Sequence, residues 1–278
     1  MDTLGRVTRR FGRERERTTL ELKRLRNRLF GIGVDVPLGA RQRLNVRVLP
    51  AAAQVSRLTV DLDIAAATVS ATREEVGFVQ VGAFDGQAND PMHDLVRRLG
   101  WRGILVEPQP DAFERLREAY ADVEGLVFLN AAVAEQRGSR TLWHIAGSEP
   151  DDPWWKGQVS SFDREHLFRH IRGNAGLADR VAGTPVRTVT VEDVLAQAPR
   201  PVDVVQVDTE GYDAHIIAML PLEQQRPALI RFEHRHLAPH EHAHAVSRVV
   251  AHGYRVAVNE DDTIAMLHQP GRGLTARA

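Results

Sequence analysis

Several short stretches of this sequence carry residue types that can hold and react with a charged small molecule. Gly82-Ala83-Phe84-Asp85-Gly86 follows an apolar run. Glycines there let the backbone turn tightly and approach a ligand with no Cβ in the way. Glu107 directly follows Ile104-Leu105-Val106. A lone carboxylate at a strand end can accept hydrogen bonds from both hydroxyls of a ribose. Asp208 and Glu210 follow the run ending at Val207, and His234 follows the run ending at Phe232. These side chains can take a proton from a weak nucleophile such as an alcohol, with Asp208 or Glu210 as base and His234 as their rival. Helix capping explains the two acids as well, because carboxylates favour the start of a helix such as the one expected near Tyr212.

The ligand class follows from what the loop lacks. A pyrophosphate binder needs a second glycine two residues after the first, with helix N-terminal amides aimed at phosphate. Phe84 holds that place and Asp85 comes next. A carboxylate repels a pyrophosphate but attracts the amino group and sulfonium of S-adenosylmethionine. The loop and Glu107 together therefore suit an adenosyl ligand carrying positive charge.

These residues need a scaffold that brings strand ends together. Val76 to Val81, Ile104 to Val106, Leu126 to Leu129, Val202 to Val207 and Leu229 to Phe232 read as short apolar strands. Helical segments around Met92 to Leu99, Ala112 to Tyr120 and Asp213 to Leu220 alternate with them. That alternation implies parallel crossover units and a doubly wound sheet. Tyr254 to Val258 and Thr263 to Leu267 are separated only by Asn259-Glu260-Asp261-Asp262, a link short enough only for antiparallel strands. The expected fold is α/β and Rossmann-like: a mostly parallel seven-stranded sheet of the class I methyltransferase type with an antiparallel C-terminal hairpin.

A long insertion at about residues 146–185 carries Trp154, Trp155 and Ser160-Ser161-Phe162-Asp163. Segments of that length are often lids or binding elements, and the tryptophans could stack on a sugar. Residues 1–75 read as a basic, helical N-terminal extension and 76–278 as the catalytic domain. Within the extension, Thr18 and Glu21 form a capping-box pattern ahead of Leu22, Leu25 and Leu29. That leucine stripe could pair with another subunit.

The bulk properties narrow the class further. Net charge is -1, with 43% hydrophobic and 26% charged residues. Such a balance gives no field to draw in nucleic acid. No run of about 20 apolar residues is present, so no membrane span is expected. The basic start lacks the short apolar core and cleavage site of a secretory signal, which makes the cytoplasm the expected location. Cysteine is absent, excluding disulfides, thiolate metal sites and cysteine nucleophiles. Histidines 236, 240, 242 and 244 have mixed spacing after Pro239 and read as solvated residues rather than a zinc site.

Taken in order, several motifs resemble the FkbM family of S-adenosylmethionine-dependent methyltransferases. They are Phe78-Val79-Gln80-Val81-Gly82-Ala83-Phe84-Asp85-Gly86, Gly103-Ile104-Leu105-Val106-Glu107-Pro108-Gln109-Pro110, Asn130-Ala131-Ala132-Val133, Ser160-Ser161-Phe162-Asp163 and Gln206-Val207-Asp208-Thr209-Glu210-Gly211-Tyr212-Asp213. Arg231-Phe232-Glu233-His234 is similar to the fifth-strand segment of a subset of that family. Phe84 departs from the pattern, since many members carry a small or polar residue there. The resemblance implies methylation of an oxygen, commonly a hydroxyl on a sugar or natural-product scaffold. It places S-adenosyl-L-methionine against Gly82, Ala83, Asp85, Gly86, Glu107, Pro108 and Asn130, with Asp208 at the mouth of the site. The implied partner is a small-molecule or glycosyl acceptor.

Other readings stay open. One is a nicotinamide-dependent oxidoreductase; another is a non-catalytic module that binds an adenosyl ligand. No metal is assigned. A magnesium ion held by Asp208, Glu233 and His234, as in catechol-type O-methyltransferases, is kept as an alternative.

Overall fold

The computed structural model describes residues 62–171 and 174–268. The arginine-rich start, the expected helix from Thr18 and its leucine stripe lie outside those residues. Nineteen elements alternate along the described chain. In order they are α1 (Leu62–Ala71), β1 (Gly77–Val81), α2 (Pro91–Leu99), β2 (Arg102–Val106), α3 (Pro110–Ala119) and β3 (Leu126–Leu129). Next come β4 (Ala132–Val133), β5 (Gly138–Ile145), β6 (Ser160–Ser161), α4 (Arg164–His170), α5 (Ala175–Ala178) and β7 (Val181–Val189). The chain continues through α6 (Val191–Gln197), β8 (Val204–Val207), α7 (Asp213–Met219), β9 (Leu229–Glu233), α8 (Pro239–Ala251), β10 (Tyr254–Val258) and β11 (Asp262–Leu267).

The main sheet has seven strands in the order β10-β11-β9-β8-β1-β2-β3. Strands β3, β2, β1, β8 and β9 run parallel, while β11 joins β9 antiparallel and pairs with β10 as a terminal hairpin. This is the Rossmann-like class I methyltransferase fold expected from the strand pattern. Every residue of β1 is buried, as a central parallel strand covered on both faces requires. One face packs Val79, Ile104, Val205 and Ile230 against α6, α7 and α8. The other packs Phe78, Trp101, Leu105 and Leu229 against α1, α2 and α3.

Helix α1 precedes the expected domain boundary, yet Leu62, Ala65, Ala66 and Val69 join the same core as Phe78. Its alanines let it lie close, and Trp101 Nε1 donates to Ser70 Oγ at 2.9 Å. The alternation of Val60, Leu62 and Ile64 had no helical period, so this helix was not visible as one. Helix α2 is set by local chemistry. Asp90 caps its start by accepting from the Met92 amide, Pro91 opens it, and Gly100 ends it in the left-handed region at φ 66.

A second sheet, order β4-β7-β5-β6, was not foreseen. Long antiparallel β5 and β7 pair from Gly138↔Thr188 to Ile145↔Val181 and carry the inserted segment between them. Their exposed, polar edges hid the alternation that marks a strand. Within the insertion, Trp155 packs with Ile145, Val159 and Leu167, whereas Trp154 is 76% exposed. Among the described residues, no helix is long and apolar enough to cross a membrane.

The register is what positions the site. Val81 pairs with Val106 and with Val207, Val106 with Leu129, and Val207 with Phe232. One residue further along each strand stand Gly82, Glu107, Asp208, Asn130 and Glu233, in a row at the carboxyl edge of the sheet.

Ile104, fully buried at the centre of β2, fills the larger core. Ile104→Ala is expected to cost about 3 kcal/mol of folding stability, read as a lower thermal or denaturant midpoint. A loss below about 1 kcal/mol would contradict the packing described.

Candidate active site

A cleft opens over the carboxyl ends of β1, β2 and β8. This is where ligands sit in open parallel sheets. Its floor includes Gln80, Gly82, Ala83, Glu107, Gln206 and Asp208. Gly82 has φ 78, and a Cβ there would lie 1.7 Å from the Asp208 carbonyl oxygen, so only glycine lets the two strand ends meet. The Gly82 and Ala83 amides both donate to the Val106 carbonyl, turning the loop back over β2.

Glu107 holds that turn. It is 3% exposed, and its two oxygens accept from the Phe84 amide at 2.8 Å and the Gln109 amide at 2.7 Å. Burial pushes its pKa up to about 7 against the pull of those two amides and of Arg115. Each oxygen keeps a lone pair for a further donor in the cleft. Pro108 also lines the cleft.

Several expected contacts fall elsewhere. Asp85 accepts from the Gln87 and Ala88 amides at 3.0 and 2.9 Å, capping its own turn outside the cleft wall. Gly86 packs against Leu116 and Tyr120, where a Cβ would clash at 2.6 and 2.8 Å. Asn130 donates through Nδ2 to the Glu107 and Pro108 carbonyls, which fixes the chain beyond β2 without lining the cleft.

The carboxylate that does face the cleft beside the loop is Asp90, missed in the sequence because its capping role hides it. Asp90 Oδ1 accepts from the Met92 amide and from Gln80 Nε2, and the carboxylate also interacts with the Tyr120 hydroxyl. Burial raises its pKa above the ordinary carboxylate value.

The inserted segment forms the opposite wall through Gln158, Ser160, Ser161 and Phe162. Gln109 Nε2 reaches Ser160 Oγ at 3.3 Å, and Gln158 Nε2 reaches the Ala88 carbonyl at 3.3 Å, so polar contacts stitch the segment across. Arg140 stacks over Phe162 at 4.1 Å, and Phe162 meets Tyr212 edge-on at 5.3 Å.

Asp208 and Glu210 lie together at the far end of the cleft. Burial, then the neighbouring Asp213, lifts the Asp208 pKa well above its ordinary value, with buried Arg231 opposing. Arg231 is ion-paired with Asp262 at 2.7 Å. Burial also pushes Glu233 up to about 10, helped by Asp208 and Glu210. Glu210 is a non-glycine residue at φ 53, a strained backbone conformation that turns its carboxylate toward three imidazoles. His236 Nε2 lies 3.3 Å from Glu210 Oε2, His170 Nε2 3.8 Å and His166 Nε2 3.9 Å. Burial lowers the His170 pKa and takes His236 down to about 4.

His234 is not brought to the cleft. It stacks on His242 at 4.2 Å, its Nδ1 lies 3.1 Å from Thr263 Oγ1, and it is absent from the cleft wall. His236, read from sequence as solvated, is instead packed among acids and histidines. Two positions beyond His234, it stands where the chain has passed β9 and reached the cluster.

A crevice walled by acids at the carboxyl edge of a Rossmann-like sheet, with a glycine turn clamped by a buried glutamate, defines a methyltransferase-type domain. The FkbM methyltransferase domain model matches residues 80–256, and the chain belongs to that family. No curated protein matches the chain. Among solved structures, it is similar to an FkbM methyltransferase from Methylobacillus flagellatus KT, with 10% identity and a TM-score of 0.46. That match covers 69% of this chain and 44% of the other, so the chain spans under half of that relative's length. It is also similar to a precorrin-6y C5,15-methyltransferase from Geobacter metallireducens GS-15, with 11% identity, a TM-score of 0.39, and 79% and 94% of the two chains covered. A third is cofactor-bound Rv0187 from MTB, with 15% identity, a TM-score of 0.36, and 77% and 84% covered.

The raised Glu107 pKa has a consequence for stability. The folded chain keeps a proton on Glu107 up to about pH 7, while the unfolded chain loses it near the ordinary 4.5. Stability from that proton is full below the lower value and lost as pH rises to the upper one. Glu107→Gln, which cannot ionise, is therefore expected to gain melting temperature relative to the wild type across that window and to run parallel above it. A difference that stays constant from pH 4.5 to 7 would contradict the buried carboxylate.

Proposed function

We propose that this protein transfers a methyl group from S-adenosylmethionine to an oxygen, the hydroxyl of a sugar or another natural-product scaffold. The observation that carries the reading is Glu107, a buried carboxylate facing the cleft from the end of β2 and clamping the glycine turn. Two backbone amides orient it, and its free lone pairs suit the two ribose hydroxyls. The Asp90 carboxylate in the cleft wall suits the amino group of the same ligand, the part first given to Asp85.

S-adenosylmethionine, when bound, supplies a methyl group on a cationic sulfur; its transfer to oxygen breaks the carbon–sulfur bond, leaves a neutral thioether and frees the hydroxyl proton. Asp208 is the base in this reading. It lies in the cleft wall beyond Gly82, and its raised proton affinity suits it to receive that proton as the new bond forms. Asp90, Asp208 and Glu210 give the crevice a negative wall that favours a cationic donor over a pyrophosphate, which weighs against a nicotinamide cofactor. Gln109 and Gln158 hold the inserted segment over the cleft, where it would align the acceptor and keep out water. Phe162 and Tyr212 offer an aromatic surface for a ring-shaped acceptor, a role first considered for Trp154 and Trp155. Net charge of -1 supports a small-molecule or glycosyl acceptor over nucleic acid, and the reading sets the reaction in the cytoplasm.

Calorimetry on the full chain is expected to show S-adenosylhomocysteine binding and no NAD binding, with Glu107→Ala weakening the former at least about tenfold. On an acceptor found by labelled-methyl transfer into an extract, Asp208→Asn is expected to lower turnover by about 100-fold or more while leaving that affinity nearly unchanged. NAD binding in place of S-adenosylhomocysteine would overturn the donor, and full turnover in Asp208→Asn would overturn the base.

A further inference from the structure

Three segments that are far apart in sequence deliver three imidazoles and a carboxylate to one point. His166 and His170 sit four residues apart on α4, so both rings project from the same side of that helix. Their centroids are 4.6 Å apart, and His236, just beyond β9, lies 5.2 and 4.3 Å from them. Glu210, from the turn after β8, closes the group, and one donor atom from each of these four residues lies within 4.8 Å of all the others.

We propose that His166, His170, His236 and Glu210 form a binding site for a divalent first-row transition-metal ion at the acceptor end of the cleft.

Three features support a built site over chance crowding. The first is unmet bonding capacity. His166 is 4% exposed, yet its Nε2 has no hydrogen-bond partner, and neither has the buried Oε2 of Glu210. Buried polar atoms are rarely left so unless something else bonds them. The second is spacing. Four donors at about 2.0–2.1 Å around a tetrahedral zinc stand roughly 3.4 Å apart. Glu210 Oε2 lies 3.3, 3.8 and 3.9 Å from the three Nε2 atoms, close to that edge length, and all four donors lie within 4.8 Å of one another. The third is what the backbone tolerates to make the group. Glu210 holds a left-handed φ of 53, and Gly211 at φ 99 leaves room for His166, whose ring atoms would lie 3.0 Å from any Cβ. His170 Nδ1 lies 3.4 Å from the His166 carbonyl, which can only accept, so a proton on Nδ1 leaves the Nε2 lone pair for a metal.

The donor set also selects the ion. Three imidazoles and one carboxylate suit zinc, cobalt, iron or manganese, whereas magnesium prefers oxygen ligands and retained water. This is a different group from Asp208, Glu233 and His234, since His234 stacks on His242 instead. Asp208, Glu210 and Glu233 do come together, but as an all-oxygen cluster. Glu210 faces both the histidines and the cleft. On the reading of the function given above, an ion here would polarise the acceptor oxygen and ease loss of its proton to Asp208.

The test uses the full chain, stripped with a chelator and titrated calorimetrically with zinc chloride. One zinc per chain is expected, held at least about 100-fold tighter than magnesium, which the nitrogen-rich donor set disfavours. His170→Gln and His236→Gln should each weaken zinc by more than the roughly 10–100-fold cost of losing a group that merely orients a ligand. His252→Gln, whose ring bonds Glu223 instead, should leave zinc binding intact. X-ray absorption at the zinc edge of the wild-type chain reads the ligands without any variant, and three imidazoles are expected. Zinc bound no tighter than magnesium, affinity undiminished in both variants, or an absorption spectrum with fewer than two imidazoles would overturn the site. None of these readouts needs a methyl acceptor. A chain that binds zinc here and never transfers a methyl group would therefore overturn the proposed reaction and not the metal site.

Discussion

Negative charge crowded at the carboxyl edge of the sheet is the constraint on which the rest of the structure depends. Asp90, Glu107, Asp208 and Glu233 each have their pKa raised, chiefly by burial. Arg231 beneath them is already engaged with Asp262. Desolvated carboxylates either hold a proton or attract a cation. A sulfonium-bearing donor at one end of the cleft and a metal ion at the other would both relieve that cost.

The parallel register makes this crowding possible. Because Val81, Val106 and Val207 end their strands side by side, residues far apart in sequence emerge at one level. The same alignment demands glycine at position 82, where the loop passes over the Asp208 carbonyl. The second sheet adds the opposite wall, with β5 and β7 projecting the inserted segment across the crevice. Polar contacts from Gln109 and Gln158, not a continuous apolar seam, hold it there. Such contacts can break and reform as a ligand enters, at small cost per bond.

Much of this was legible in the sequence because strand ends are local features. Apolar runs followed by Gly82, Glu107 and Asp208 identify the sheet edge without knowledge of the fold, and the short link before Thr263 identifies the hairpin. Where a side chain can be satisfied by its own turn, the same reasoning misleads. Asp85 caps two neighbouring amides, so its charge is spent locally, while Asp90, not singled out in the sequence, lines the cleft. His234 and His236 differ by two positions, yet only the second turns toward the acids. The histidine cluster was illegible for another reason. Its members come from α4, the turn after β8 and the turn after β9, and no spacing within any one segment announces the others. The second sheet escaped notice because its long strands are mostly exposed along one edge and are split by the insertion.

The central claim is that this acid-walled crevice receives an adenosyl ligand with positive charge. A crystal structure of the full chain soaked with S-adenosylhomocysteine addresses it directly. The account predicts density over the Gly82 turn, with both ribose hydroxyls within hydrogen-bond distance of Glu107 and the amino group against Asp90. Density for the ligand at another surface, with the crevice filled by protein side chains, would contradict it.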